Sequence, residues 1–171
     1  ILEKFRAECP EWKISESPLV VGDKVICTSA SRHASEPHQK ADAIITNQPS
    51  VMLLMLFADC VPILLYDPIK RVVGVVHAGW KGTVLGVAAK TVNKMQLCYG
   101  SKPQNILAAI GPSIGADHYD VGSDVVSEVK LAFGMVANDF LYAINGAVKF
   151  DLWKSNRWVL QESGVEKVES S

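Results

Sequence analysis

The side chains with most chemical capacity fall in two short segments, Ala58-Asp59-Cys60-Val61-Pro62 and Val76-His77-Ala78-Gly79-Trp80-Lys81-Gly82-Thr83. Between them Asp67-Pro68-Ile69-Lys70 reads as a turn, with proline pre-set for the second position. A four-residue loop there opposes Tyr66 to Arg71. Stepping back along the antiparallel pair then brings Cys60 opposite His77. Directly opposed residues share one face, with Cβ atoms roughly 4.5–5.5 Å apart. A thiol and an imidazole at that spacing could bind one ion, or form a thiolate–imidazolium pair. Taken singly, such a cysteine is most simply a buried inert thiol and such a histidine a satisfied core residue. Their place at the end of a strand pair is what points to chemistry.

His77 also opens a glycine-rich stretch running into a helix. The amides of Gly79 to Thr83, with Gly82 between them and Lys81 adding charge, form a candidate anion cradle. The plainer role of Gly79 and Gly82 is to permit a tight strand-to-helix turn. Gly111-Pro112-Ser113-Ile114-Gly115 is a second such loop, less specific because it lacks a charge, with Gly111 and Ser113 as candidate substrate contacts. Asp59 could act as a general acid or steady the cysteine; otherwise it caps a turn.

The elements that must position these groups are legible from periodicity. Val20 to Thr28 reads as a first strand, followed by a polar loop from Ser29 to Lys40. Ala43 to Thr46, Val51 to Phe57, Val61 to Tyr66 and Val72 to His77 follow as strands. The last three are apolar almost throughout, as expected of strands covered on both faces. From Thr83, a candidate cap, Val84, Val87, Ala88, Thr91, Val92 and Met95 recur at helical spacing, and Gly100 can close the helix. Ile106 to Ile110 is a further buried strand. A second helix starts at Ser123 and stops near Gly134, and a third runs from Asp151 to about Gly164, before a short strand at Val165 to Val168. Asn145-Gly146 marks a two-residue hairpin. Strands interleaved with helices indicate an α/β or α+β fold, with layered mixed sheets.

Composition sets the outer bounds. The 171 residues suffice for one domain with a real core, and 49% hydrophobic against 20% charged residues is ordinary for a globular protein. A formal net charge of −1 offers no global field toward nucleic acid or a membrane. The longest apolar run, Val51 to Phe57, is far short of a bilayer span. With no secretory n-region at Ile1 and four scattered cysteines (Cys9, Cys27, Cys60 and Cys98), reduced thiols and a cytoplasmic location are expected.

Ala58 to Tyr66 (ADCVPILLY) and Val73 to Lys90 (VGVVHAGWKGTVLGVAAK) resemble the signature of the laccase-domain family, the multicopper polyphenol oxidase-like proteins assigned as zinc-dependent purine nucleoside phosphorylases. Ala41 to Asn47, Gly111 to Ile114 and Tyr119-Asp120-Val121 are also similar, and the likeness runs from about Val20 onward. The resemblance implies sheets covered by helices. It implies phosphorolysis of adenosine, inosine and 5′-methylthioadenosine, and deamination of adenosine. It also implies zinc, held by a cysteine and two histidines, of which Cys60 and His77 match two. At the place of the other histidine stands Val21. His33, His38 and His118 are substitutes to consider, each more simply a solvated loop residue, with His118 the best placed. The family's arginine-glycine N-terminal segment and its C-terminal Cys-Thr and Ser-His-Arg region have no counterpart, so a single domain over 1–171 without those segments is expected. The implied partners are nucleoside and phosphate, with a monomer or homodimer.

A blue-copper centre with a trinuclear cluster needs many imidazoles. Four histidines without a His-x-His pair exclude a multicopper laccase of the usual type. Copper at Cys60 and His77 remains a chemical possibility, since such donors hold copper(II) tightly. Two other readings stand beside the zinc enzyme. With Val21 in place of a ligand, the chain could be a nucleoside- or partner-binding module without turnover. With Cys60 as nucleophile and His77 as base, it could be a metal-free hydrolase, sensitive to alkylation and indifferent to chelation.

Overall fold

The structure is a computed structural model that describes residues 21–30 and 39–170, and the backbone of 13–16. Its elements in chain order are β1 (Lys13–Glu16), β2 (Val25–Cys27), β3 (Ala43–Thr46), β4 (Val51–Leu54), β5 (Val61–Asp67), β6 (Val72–Ala78), α1 (Trp80–Val84), α2 (Val87–Tyr99), β7 (Leu107–Ile110), β8 (Asp120–Val121), α3 (Ser123–Phe133), β9 (Leu141–Ile144), β10 (Ala147–Phe150), α4 (Leu152–Glu162) and β11 (Lys167–Ser170). Six strands form the main sheet in the order β11-β7-β5-β6-β3-β2. It is mixed: β5 runs antiparallel to both neighbours, whereas β11 and β2 join their neighbours in parallel. A three-stranded sheet β8-β10-β9 and a parallel pair β1-β4 complete the α/β architecture.

One face of the main sheet makes the core. Ile63 and Leu65 of β5, Val72 and Val76 of β6 and Ile110 of β7 pack with Val87, Val92 and Met95 of α2 and with Leu160 of α4. The other face carries a smaller cluster of Ile44, Met55 and Val75. Beyond that cluster, Leu64 is 56% and Tyr66 42% exposed, with Val73 and Leu107 beside them. Strands β5 and β7 are therefore not covered on both faces among the described residues, because their exposure alternates with the two-residue pleat, whereas β6 is buried throughout except at Val73.

The hairpin register also departs from the expectation. Asp67 pairs with Val72 and Pro62 with His77, a shift of two residues from the opposition of Cys60 to His77. The cause is local. The Asp67 carboxylate accepts the amides of Ile69 and Lys70, at 2.9 and 3.1 Å. That keeps Asp67 in the strand, and Arg71 closes the loop at φ 54°. A two-residue shift preserves the pleat, so Cys60 stays on the His77 face as a diagonal neighbour.

Burial alone would raise the Asp67 carboxyl pKa. The Ser101 hydroxyl beside it, the two amides and the Lys70 charge outweigh burial and hold it below its ordinary value. Its contribution to stability is therefore complete above the unfolded carboxyl's pKa. It drains away as pH falls through the lower folded value. Replacing Asp67 by Ala should cost about 1–3 kcal/mol in urea unfolding at neutral pH. The deficit should shrink in strong acid.

The helical stretch after His77 is split. A short α1 starts at Trp80, and α2 begins only after Gly86, which is left-handed at φ 73°. Thr83 therefore does not cap the long helix; it lies inside α1. Gly100 closes α2 in the left-handed conformation, Asp151 caps α4 by accepting the Lys154 amide, and Asn145 and Gly146 turn the β9-β10 hairpin at φ 52° and 81°. The last strand is β11, two residues later than expected.

Candidate active site

Cys60 immediately precedes β5, and His77 is the penultimate residue of β6, so both stand where the hairpin opens. Their side chains converge at Gly79. A Cβ built there would lie 2.9 Å from Cys60 Sγ and 3.7 Å from His77 Cε1. Glycine at 79 thus keeps open the space that thiol and imidazole share.

His77 is 6% exposed. Its amide donates to the Asp42 carbonyl at 2.7 Å, which fixes β6 against the start of β3. The Phe57 ring lies against the imidazole, with centroids 5.7 Å apart. Burial lowers the His77 pKa, against the raising charge of buried Asp42, and favours the neutral ring that binds metal. Burial, with the Asp59 charge second, raises the Cys60 thiol pKa. The pair is thereby tuned against the thiolate–imidazolium couple that a cysteine hydrolase needs.

The second glycine loop is laced to the same corner. The Ile114 amide donates to the Asp59 carbonyl at 3.0 Å and the Gly111 amide to the Pro62 carbonyl at 2.9 Å. A Cβ on Gly111 would meet the Pro62 ring at 3.0 Å. Ser113 accepts a hydrogen bond from the Trp153 indole N–H. Gly111 and Ser113 accordingly hold the loop in place beside exposed Asp59.

The Gly79 to Thr83 stretch divides. Thr83 is 1% exposed, its hydroxyl accepts from the Asn156 amide at 2.8 Å, and its own N–H goes to the Gly79 carbonyl at 2.8 Å. Thr83 therefore joins α1 to α4. Gly82 is packed against the Gly22 carbonyl, 3.0 Å from where its Cβ would be. Lys81 is exposed and opens onto a groove of about 450 Å³ whose other wall bears Asp124 and Glu128.

Two residues beyond the sequence-derived set adjoin the pair. Burial and the proximity of Cys60 raise the Tyr119 phenol. Asp42 faces His77 electrostatically, with Gly22 beside its carboxylate. Both sit in the motifs Ala41 to Asn47 and Tyr119 to Val121, which was the signal available.

The donor types suit zinc or copper, a thiolate and an imidazole being ordinary ligands of both. Among the described residues, no three His, Cys, Asp or Glu side chains come together. His118 does not complete the site; it pairs with Asp117 at 2.9 Å on the surface. His33 and His38 lie outside the described residues. Val21, at the position matched to the missing histidine, is 57% exposed with φ 60°, an unusual conformation for a β-branched residue.

The chain as a whole is similar to known proteins. The family described as multi-copper polyphenol oxidoreductase laccase matches residues 4–171. Purine nucleoside phosphorylase YlmD of Bacillus subtilis is 38% identical over 148 residues, covering 83% of this chain and 52% of that protein. Adenosine deaminase RL5, from an unknown prokaryotic organism, is 40% identical over 126 residues, covering 72% and 47%. The crystal structure of Bacillus licheniformis hypothetical protein YfiH superposes with a TM-score of 0.89 at 30% identity, covering 98% of this chain and 67% of that one. The chain spans about half the length of the curated relatives it matches. A match along almost the entire sequence, with the fold to go with it, makes this chain a member of the multi-copper polyphenol oxidoreductase laccase family.

Proposed function

We propose that the protein containing this chain splits purine nucleosides with phosphate and deaminates adenosine, at a metal site held in part by Cys60 and His77. The observation that carries the reading is the convergence of Cys60 Sγ and the His77 imidazole on the space above Gly79. The names of the relatives supply the substrate class.

Zinc bound there would supply positive charge to polarise a water or a leaving group. The chain's own residues do the rest. His77 stays neutral, and Phe57 shields one side of its ring. Asp59, held through its carbonyl by the second glycine loop, offers a carboxylate at the mouth for proton transfer. Lys81 and the Gly79 amide are the proposed phosphate contacts, with Gly111 and Ser113 fixing the opposite rim. Thr83 and Gly82 contribute by packing α1.

The test is metal analysis of the whole protein beside a phosphate-dependent assay on adenosine and inosine. Close to one bound zinc is expected, with base release that stops on chelation and returns when zinc is restored. Turnover that survives metal removal but stops on alkylation would favour the hydrolase. Nucleoside binding by calorimetry without turnover, with zinc and phosphate supplied, would favour the binding module.

A further inference from the structure

Outside this site the two surface thiols of Cys27 and Cys98 meet, with Sγ atoms 3.1 Å apart across 71 residues of sequence. Cys27 ends the edge strand β2 and Cys98 lies in the last turn of α2, and both are exposed and free. That spacing is about 1 Å longer than a disulfide bond, within reach of side-chain rotation. We propose that Cys27 and Cys98 form a reactive dithiol, which a small-molecule disulfide of the glutathione class converts to an intramolecular disulfide joining β2 to α2.

The exchange runs in two steps. Cys27 and Cys98 already share a hydrogen-bonding contact between their sulfurs. One of the two thiols loses its S–H proton, its sulfur bonds to one sulfur of the reagent, and the reagent's S–S bond breaks to release one thiol. The other protein thiol, 3.1 Å away, then gives up its proton, attacks the protein sulfur of the mixed disulfide and expels the second small-molecule thiol. Two protein thiols lose two electrons, and one small-molecule disulfide becomes two thiols.

The location gives the bond a mechanical effect. Among the described residues, β2 is held to the sheet along one side, through β3. Just upstream, Asp23 pairs with Lys90 of α2, and Gly22 lies against Asp42 and Gly82. A covalent tie at Cys27 fixes the strand that carries this flank of the site. The inference does not depend on the proposed function.

The experiment equilibrates the whole protein in buffers of reduced and oxidised glutathione. Two thiols should disappear together, and a non-reducing peptide map should show residues 27 and 98 cross-linked. The melting temperature should rise by roughly 5–10 °C, as closing a long loop predicts. Cys27→Ser and Cys98→Ser should each abolish the cross-link and its gain in melting temperature, leaving at most a single glutathione adduct on the remaining thiol. Single glutathione adducts in the parent protein, intermolecular dimers, or a bond to Cys9 or Cys60 instead would overturn the proposal.

Discussion

Substituting Cys60 by Ser in the whole protein should lower phosphate-dependent base release from adenosine and inosine by at least about 100-fold. Loss of a supporting partner alone typically costs a metal site 10- to 100-fold, and loss of a ligand costs more. Serine is nearly isosteric with cysteine, and Cys60 is only partly buried just ahead of β5. The unfolding free energy should therefore change by no more than about 1 kcal/mol. The two readouts separate a chemical role from a packing role. Bound zinc should fall in parallel with activity. A serine variant with normal turnover and normal metal content would remove the thiol from the mechanism, and the proposed site with it.

The second large effect concerns a residue with no chemistry of its own. Gly79→Ala should cost about 10- to 100-fold in activity, because its Cβ would sit 2.9 Å from Cys60 Sγ and must displace it. The backbone gives alanine no difficulty: Gly79 has φ −72° and ψ 177°, an extended conformation open to any residue. The damage is thus steric and confined to the thiol. Gly86→Ala is the matched control. Its φ of 73° strains an alanine, yet a Cβ there meets nothing within 4 Å. It should lose about 1 kcal/mol of stability and keep its turnover. Equal activity losses in the two variants would mean that Gly79 serves the fold and not the site.

The parts of the fold that could be read from the chain are those whose cause is local. Asp151, Gly100 and Asn145-Gly146 each mark an end or a turn by their own hydrogen-bonding or dihedral preference, and each lies where that preference puts it. The β5-β6 register is a harder case, because Asp67 could stand either in the loop or as the last strand residue. Which of these holds depends on where its carboxylate finds amides. The error of two residues left the pleat unchanged, so Cys60 and His77 still share a face. Continuous apolar character misled in another way. Leu64, Tyr66 and Val73 look like core residues, but burial is decided by what lies across the sheet. Thr83 carries a capping residue's side chain, yet Asn156, 73 residues away, claims its hydroxyl. The Cys27–Cys98 contact is equally remote in sequence, and no spacing rule announces it. Nor does composition reveal that Tyr119 comes near Cys60; that follows from the loop at Gly111 folding back onto Asp59.

The β5-β6 hairpin has a far end as well as a near one. Pro62 opposite His77 marks one end and Asp67 opposite Val72 the other, so the connecting loop lies about 17 Å from the proposed chemistry. An epitope or fluorophore spliced between Ile69 and Lys70 would thus be paid for in folding free energy and leave catalysis intact. The same separation lets this loop take up added residues without moving the end of the ribbon where Cys60 and His77 meet.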